Sequence, residues 1–375
     1  MKTKDFYFDL PEELIAQHPS GKRGEDKLMI LDKTSGQIKN VTMADLPEFI
    51  EPGSLMIFNN SRVRRSRCYA KKISANNNSE QKISKPVEFM ILSHISQPQG
   101  SSDIKTEKVW KCMVKNAKKQ KPGNTYKFFD GTIGTIIAHK EFEGTEFRAV
   151  TFNTILDEEW FEKNGHIPLP PYIKREDTEE DSERYQNVYA SKTGSAACPT
   201  AGLHFTPEMM QRLKEKGINI AFVTLHVGLG TFLPVRAENI EDHTMHEEVY
   251  TLSDETVQKI YEAKQAGKKV IAVGTTSVRT LESAWHASIK NKENCHTELS
   301  DGYLESGTHS TNIFIYPGKK FHVIDQMFTN FHTPESTLLM LVSAFAGKDY
   351  IMNAYNEAIK QKYHFFSYGD AMLIK

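Results

Sequence analysis

The feature that most constrains the fold is a break in the alternation of strands and helices. Strand and helix patterns alternate up to about residue 67 and again from about residue 153 to the end. Between Cys68 and Phe152 they give way to short β-rich runs separated by glycine, asparagine and serine turns. Such a succession of short strands favours a small barrel over a layered sheet. The sequence therefore predicts a barrel between two α/β segments.

Length and charge limit the class of protein. A chain of 375 residues exceeds the size at which a single core stops growing, so we expect two domains. The 47 lysines and arginines balance 48 aspartates and glutamates, which leaves only a local case for nucleic-acid binding. No apolar run approaches the roughly 18 residues of a membrane span, and the first residues do not resemble a signal peptide. Four widely spaced cysteines form no disulfide framework, which favours a reduced, cytoplasmic protein.

The stretch from Pro199 to Arg236 is the first candidate site. A helix with Thr206 as N-cap, Pro207 in its first turn and Gly217 at its end is followed by a buried strand, 218–227. Glycines just past the carboxyl end of such a strand let the backbone approach a ligand closely. His204 and His226 lie in the same stretch. The alternative interpretation, a tight turn with partly buried histidines that are satisfied locally, stays open.

A second strand-to-helix junction follows the predicted buried strand 269–273. Thr275, Thr276 and Ser277 open the helix and can offer hydroxyl and N–H groups to a carboxylate or phosphate, while Arg279 adds charge if it turns back to that loop. The segment is not a P-loop, because the glycine–lysine–hydroxyl ending is missing. Further strands are predicted at 312–316 and 323–327.

Basic residues cluster at two places. An arginine run follows the predicted strand 54–58, and arginines beyond a strand end suit phosphates. Lysines cluster near residue 118, where a solvated turn is the alternative to an RNA-facing patch. The candidates for binding RNA, and for binding tRNA if the resemblance described next holds, are Arg62, Arg64, Arg65, Arg67, Lys118 and Lys119.

Several long sequence blocks are distributed over essentially the full length of the chain, among them F-N-N-S-R-V, I-P-L-P-P-Y-I, P-T-A-G-L-H-F, T-L-H-V-G-L-G-T-F, H-T-M-H-E-E, V-G-T-T-S-V-R-T-L-E and T-N-F-H-T-P-E-S-T-L-L-M-L-V-S-A-F-A-G. By these blocks, which occur in family order, the chain resembles the family of S-adenosylmethionine:tRNA ribosyltransferase-isomerases of the queuosine pathway. The resemblance implies an α/β catalytic domain, with a mixed sheet and flanking helices, interrupted by an inserted small β-barrel domain. We place the α/β domain at 1–67 and 153–375 and the barrel at 68–152. Asn60 and Asn312 stand where the family tends to have aspartate, so neither is used as an acid or base.

The reaction implied by the resemblance consumes S-adenosylmethionine as a co-substrate and needs no cofactor. Its ribosyl group is transferred to 7-aminomethyl-7-deazaguanine at the tRNA wobble position and isomerised, which gives epoxyqueuosine and releases adenine and methionine. The implied partner is a tRNA with a GUN-type anticodon, and we expect a monomer that binds no membrane.

This chemistry requires a base at the carbon beside the sulfonium and a proton or hydrogen bond for departing adenine, and histidine suits both tasks. The catalytic candidates are His204, His226, His243, His246, Glu247 and His332. The candidates for binding S-adenosylmethionine are Thr200, Gly202, Gly228, Gly230, Thr231, Thr275, Thr276, Ser277 and Arg279.

Two other classes of function remain as alternatives. The cluster of His243, His246 and Glu247 could ligate a metal in a hydrolase, although its spacing differs from H-E-x-x-H and no third ligand is obvious. We expect no metal site. A non-catalytic RNA-binding module is the second alternative, but it would not need histidines in apolar loops at strand ends.

Overall fold

The structure is a computed structural model that describes residues 1–73, 85–95, 108–228, 235, 237–287, 298–299 and 302–375. The chain divides into two compact units. The first comprises Met1–Arg62, Pro170–Glu176 and Ser182–Lys375, and the second Val63–Leu169 with Asp177–Asp181. The predicted domain limits stay a prediction.

The elements alternate between strands and helices in the first unit and are mostly strands in the second. The strands are β1 Lys27–Leu31, β2 Ile38–Thr42, β3 Leu55–Asn59, β4 Ser61–Val63, β5 Arg67–Lys72, β6 Val87–His94, β7 Val109–Val114, β8 Thr125–Phe128, β9 Ile133–Ile137, β10 Phe147–Phe152, β11 Lys192–Ser195, β12 Asn219–Leu225, β13 Glu248–Leu252, β14 Val270–Val273, β15 Trp285–Ala287, β16 Glu298–Leu299, β17 Gly302–Leu304, β18 Gly307–Thr311, β19 Gln326–Asn330 and β20 Ala371–Ile374. The α-helices are α1 Glu158–Asn164, α2 Glu179–Arg184, α3 Pro207–Glu215, α4 Asp254–Gln265, α5 Thr275–Ala284, α6 Thr337–Ala346 and α7 Lys348–Lys360. Short 3-10 helices lie at Thr3–Phe6, Glu12–Leu14, Met43–Phe49, Ala117–Lys119, Lys140–Phe142, Thr200–His204 and Ile240–Asp242.

A nine-stranded mixed sheet organises the first unit, in the order β18-β13-β12-β3-β14-β19-β20-β1-β2. The four central strands β12, β3, β14 and β19 are parallel to one another. Alternate residues of β3 belong to different hydrophobic clusters, Leu55 and Ile57 to one and Met56 and Phe58 to the other. Burial on both faces explains why β3 and β14 read as continuous apolar runs. The central strands therefore fix the positions at which their carboxyl ends leave the sheet.

The helix ends follow the sequence signals. The side chains of Thr206, Ser253 and Ser336 accept hydrogen bonds from backbone N–H groups in the first turns of α3, α4 and α6. Gly217 has a φ of 78°, so the predicted stop after α3 is confirmed. None of the helices in the described part of the chain combines the length and apolar composition that a bilayer span requires.

The second unit contains a closed barrel of six antiparallel strands, in the order β10-β7-β6-β5-β8-β9. Its interior is filled by side chains such as Phe89, Trp110, Tyr126 and Phe128, which are at most 3% exposed. A six-stranded barrel of this kind has a packed interior rather than a channel. The predicted combination of an α/β fold and a small β-barrel is confirmed.

Two strand predictions near the end of the chain are wrong in position. Residues 312–316 form no strand, and the strand predicted at 323–327 is β19, three residues later. The actual neighbouring strand, β18, has the polar sequence G-T-H-S-T and is held by antiparallel pairing with β13. Its composition lacks the apolar pattern on which a sequence-based prediction depends, so tertiary pairing decides the structure there.

Candidate active site

A cavity of about 320 Å³ lies in the first unit, at the carboxyl ends of β14 and β19. Because parallel strands end at the same edge of a sheet, the segments that follow them meet there. The cavity is lined by the segments 197–201, 274–276, 329–338 and 366–367 and by Tyr172, Val227 and Val235. Of the predicted site residues that the structure describes, Thr200, Thr275, Thr276 and His332 line it.

The junction between β14 and α5 places hydroxyl groups at the cavity. Gly274 has a φ of 84°, a conformation that favours glycine, and α5 begins at Thr275. Thr276 Oγ1 is buried and has no hydrogen-bond partner among the described residues. Ser277, by contrast, donates its hydroxyl to the carbonyl of Val273 at 2.8 Å and does not line the cavity. The helix N-terminus and the two threonines therefore form the polar part of this wall.

His332 is the predicted histidine that lines the cavity. It follows β19, and its Nε2 lies 3.0 Å from Thr329 Oγ1. The backbone N–H of His332 donates to the Tyr355 hydroxyl at 2.9 Å, which anchors the residue from the other side. Burial lowers the pKa of His332 to about 3. The imidazole is therefore uncharged at neutral pH.

His204 lies behind the cavity wall rather than in it. It is 2% exposed, and its Nδ1 lies 2.7 Å from Asp26 Oδ2. Burial of Asp26 acts to raise the pKa of its carboxyl, but the contributions of His204, Ser20 and Arg184 together outweigh it, and the pKa is lowered. On the other side, His204 Nε2 lies 3.2 Å from Nδ2 of Asn330, which lines the cavity. His204 thus acts on the cavity through Asn330.

The hydrogen bonds of Asn330 determine the orientation of its side-chain amide. Its Nδ2 also donates to the carbonyl oxygen of Phe366 at 3.0 Å, so two acceptors hold the amide nitrogen. In the tautomer that donates from Nδ1 to Asp26, His204 presents Nε2 as the second acceptor. Asn330 Oδ1 is consequently buried with no partner among the described residues. A buried acceptor without a partner costs about 1–3 kcal/mol, which a donor group at the site would offset.

A second acidic residue, Glu248, follows the predicted Glu247 and contacts the loop after β12. Glu247 and His246 are exposed, whereas Glu248, at the start of β13, is 5% exposed. Glu248 accepts a hydrogen bond of 2.8 Å from the Gly228 N–H and forms an ion pair with Arg279 of α5. Arg279 therefore does not turn back to 275–277. The ion pair instead connects the loop after β12 to α5. Nε and Nη2 of Arg279 have no hydrogen-bond partner among the described residues.

The other predicted site residues lie outside the cavity lining. His226 follows β12 and donates its backbone N–H to the Val249 carbonyl at 3.1 Å, and the next residue, Val227, lines the cavity. Burial, followed by the charge of His246, lowers the pKa of His243. Gly202 is required by packing, since a Cβ there would lie 2.0 Å from the Tyr189 hydroxyl. Gly230 and Thr231 lie outside the described residues.

Three of the predicted tRNA-binding arginines are paired with carboxylates in the second unit. Arg64 Nε donates to Glu158 at 3.0 Å, Arg65 lies 3.8 Å from Glu179, and Arg67 Nε lies 3.2 Å from Glu88. Their side chains are at most 19% exposed. Arg62, in β4, is partly buried, and Lys118 and Lys119 are exposed on a 3-10 helix. Arg64, Arg65 and Arg67 thus have structural partners within their own unit.

The alternative of a metal centre gains no support from the described residues. Among them, no three histidine, cysteine, aspartate or glutamate side chains are grouped so that they could hold a metal ion. His243 and His246 lie near each other, but the Glu247 side chain is exposed and the buried neighbour Glu248 pairs with Arg279.

Comparisons with known proteins agree on one family. The profile of a family described as "Queuosine biosynthesis protein" matches residues 3–374. A Treponema denticola protein named S-adenosylmethionine:tRNA ribosyltransferase-isomerase is 54% identical over 374 residues, covering 100% of both chains. A Clostridioides difficile protein of the same name is 45% identical over 375 residues, again covering 100% of both. The crystal structure of S-adenosylmethionine tRNA ribosyltransferase from Thermotoga maritima is similar at 33% identity and a TM-score of 0.51, over 99% of this chain and 100% of that one.

The stabilities of two single variants test which of the neighbouring residues Glu247 and Glu248 forms the buried ion pair with Arg279. We expect Glu248→Gln to lower the free energy of unfolding by about 3–5 kcal/mol, because it leaves the Arg279 charge buried and uncompensated. The control, Glu247→Gln, changes an exposed residue and should stay within about 0.5 kcal/mol of wild type. Urea denaturation followed by circular dichroism measures both, and equal losses in the two variants would contradict the assignment.

The buried His332 should make stability depend on pH. Its pKa is lowered in the folded protein, so between pH 6.5 and about 3 the unfolded chain binds a proton that the folded chain does not. Stability is therefore lost as the pH falls through this window, by up to about 1.4 kcal/mol per pH unit. Compared with His332→Gln, the wild type should lose about 2 kcal/mol more between pH 7 and pH 5. Denaturant midpoints of the two proteins at both pH values give this difference, and parallel losses would show that His332 titrates normally.

Proposed function

Since the chain belongs to the family of queuosine biosynthesis proteins, we propose that it transfers and isomerises the ribosyl group of S-adenosylmethionine. The acceptor is 7-aminomethyl-7-deazaguanine at the wobble position of tRNA, and the products are epoxyqueuosine-tRNA, adenine and methionine. The observation that carries the proposal is the match over 100% of both chains with relatives that bear the name of this enzyme. Neither the metal-dependent hydrolase nor the non-catalytic RNA-binding module gains support from these relatives.

The cavity at the ends of β14 and β19 is the proposed site for S-adenosylmethionine. Its walls combine apolar side chains with hydroxyl groups and the N-terminus of α5, which can receive the carboxylate of the methionine part. The uncharged His332 adds no positive charge that would repel the sulfonium. The acceptor Oδ1 of Asn330 suits an amino group of the ligand, and Thr276 Oγ1 can accept or donate.

The six catalytic candidates divide into groups with different tasks. His332 contacts the cavity directly, and its low pKa makes it a hydrogen-bond partner for departing adenine rather than a strong base. His204 is a positioning residue that acts through Asn330. His226 and His246 are retained as proposed acid–base groups, since His226 precedes Val227 of the cavity lining and His246 lies two residues before Glu248. His243 and Glu247 accompany His246 in the same segment.

We also propose the finer identity of the partners and the setting. A deazaguanine at the wobble position takes the place of guanine, so the substrate is a tRNA with a GUN-type anticodon. The protein acts as a monomer in the cytoplasm. The three described cysteines, Cys68, Cys112 and Cys198, are buried free thiols, which suits a reducing compartment.

The direct test is a product assay. Purified protein is incubated with S-adenosylmethionine and with a tRNA that carries the aminomethyl-deazaguanine base, and nucleosides from the digested tRNA are identified by mass spectrometry. The expected result is epoxyqueuosine with one adenine released per turnover. Methyl transfer to the tRNA, or no change in the nucleosides, would refute the proposed reaction.

Histidine variants test the assignment of roles. Replacing His226 or His246 by alanine should lower turnover at least about a hundredfold, the usual scale for an acid–base group. Replacing His332 by alanine should also lower turnover, because departing adenine then loses its hydrogen-bond partner. The control is His286→Ala, because His286 lies at the surface in a pair with Glu305 and should leave turnover within about twofold. A folded His332→Ala variant with normal turnover would remove this residue from the mechanism.

The reaction is proposed to proceed without a metal. The sulfonium already acidifies the neighbouring carbon, and both leaving groups depart without a Lewis acid. Turnover should therefore survive treatment with a chelator, provided that the tRNA stays folded, for example in the presence of spermidine. Loss of turnover that one divalent ion restores, with tRNA folding unchanged, would contradict this expectation.

A further inference from the structure

The barrel sequence carries an excess of positive charge that the whole chain does not. Residues 68–152 contain 14 lysines and arginines against 8 aspartates and glutamates, whereas the complete chain contains 47 against 48. An anionic partner is attracted by a local surplus of this kind even when the net charge is near zero. Arg64, Arg65 and Arg67 are paired with carboxylates, so other cations must attract an anionic partner to the barrel.

Two lysines lie directly opposite each other on the outside of the barrel. In the antiparallel pair of β5 and β8, Lys71 is the register partner of Lys127. Both are exposed, and neither has an ion pair with a carboxylate among the described residues. Side chains at such positions have Cβ atoms about 5 Å apart, and like charges there destabilise the strand pair. An anion held between the two ammonium groups would remove this repulsion.

An exposed aromatic side chain directly follows β8, the strand that carries Lys127. Phe129, two residues after Lys127, is 76% exposed, the highest value among the described large hydrophobic side chains. Ile73, which follows β5, is 44% exposed, and Ile133 of β9 is the register partner of Lys127. Water thus contacts an aromatic ring and aliphatic groups next to two cations. Surfaces that bind single-stranded nucleic acid combine these two features, cations for the backbone and an aromatic ring on which a base stacks.

We propose that Lys71, Lys127 and Phe129, here called the barrel face, form an RNA-binding surface for the tRNA substrate. The lysines contact adjacent phosphates, and Phe129 stacks on an unpaired base. The inference rests on the proposed function, which supplies tRNA as the partner. RNA fits better than an acidic protein, because a polyphosphate backbone neutralises paired cations while the free ring faces of its loop bases match the exposed phenyl ring.

The salt dependence of tRNA binding tests the lysines. Lys71→Gln with Lys127→Gln should make the slope of log affinity against log salt concentration less steep by about 1.4–1.8, which corresponds to two phosphate contacts. The matched control is Lys214→Gln with Lys360→Gln, which removes two exposed charges from helix surfaces of the other unit. The control should keep the wild-type slope. Equal changes in both double variants would show a general charge effect and overturn the proposal.

Variants of Phe129 test stacking separately from charge. Phe129→Leu keeps an apolar side chain but removes the ring, and it should weaken tRNA binding about tenfold without altering the salt slope. Phe129→Tyr keeps the ring and should bind like wild type. Because Phe129 is 76% exposed, neither change should affect folding, and circular dichroism melting checks this. Normal binding by Phe129→Leu would overturn the stacking role.

The wild-type protein, measured in the same experiments, distinguishes an error in the proposed function from an error in the proposed RNA-binding role of the barrel face. If the wild type makes the modified nucleoside and all barrel-face variants bind tRNA normally, the proposed function stands and the barrel face is wrong. If the wild type makes no product yet its tRNA affinity depends on the barrel face, the RNA surface stands and the reaction is wrong. If the wild type does not bind tRNA, both are wrong.

Discussion

The candidate site depends on the parallel pairing of four central strands. Parallel strands cannot be joined by a hairpin, so β12, β3, β14 and β19 are brought together by long connections, and the segments after them come from distant parts of the sequence. Burial on both faces leaves little freedom to shift their register, because a slip of one residue would exchange the two hydrophobic faces. The loops at the carboxyl edge are therefore held on a rigid frame, which is what a site with several converging groups requires.

Two sets of buried polar contacts, a chain of hydrogen bonds and an ion pair, restrain the cavity walls. The chain of hydrogen bonds from Asp26 through His204 to Asn330 sets the orientation of one amide. The ion pair of Glu248 and Arg279 joins the loop after β12 to the helix whose first turn lines the cavity. Buried groups of this kind cost free energy unless they are fully satisfied. Among the described residues, Asn330 Oδ1 and Thr276 Oγ1 are buried without partners and belong to cavity-lining residues, where a ligand can satisfy them. Nε and Nη2 of Arg279 also lack partners but lie outside the cavity lining.

Local signals in the sequence predicted much of the fold and little of the geometry of the site. Caps and glycine stops identified helices such as α3, and the change to short β-rich runs indicated the barrel. Glu247 and Glu248 show the limit of such signals. A strand turns neighbouring side chains to opposite faces, and only knowledge that β13 begins at Glu248 decides which of the two is buried. Asn330 was missed because a single asparagine carries no spacing signal. Its place in the block T-N-F-H, beside a predicted catalytic histidine, was the available indication.

The cations of the second unit divide according to the chemistry of their side chains. Arg64, with its guanidinium 4.9 Å from the Phe161 ring centre and paired with Glu158, uses planarity and several donors to join elements of the protein. Lys71 and Lys127 offer hydrated point charges on flexible stems and are left facing water. Sequence reasoning favoured the arginines for RNA because arginine binds phosphate in bidentate fashion, but the same geometry binds carboxylates equally well. Where glutamates lie within reach, the arginines are used in the fold. Because no carboxylate among the described residues holds Lys71 or Lys127, these two opposed lysines leave positive charge available on the outer face of β5 and β8.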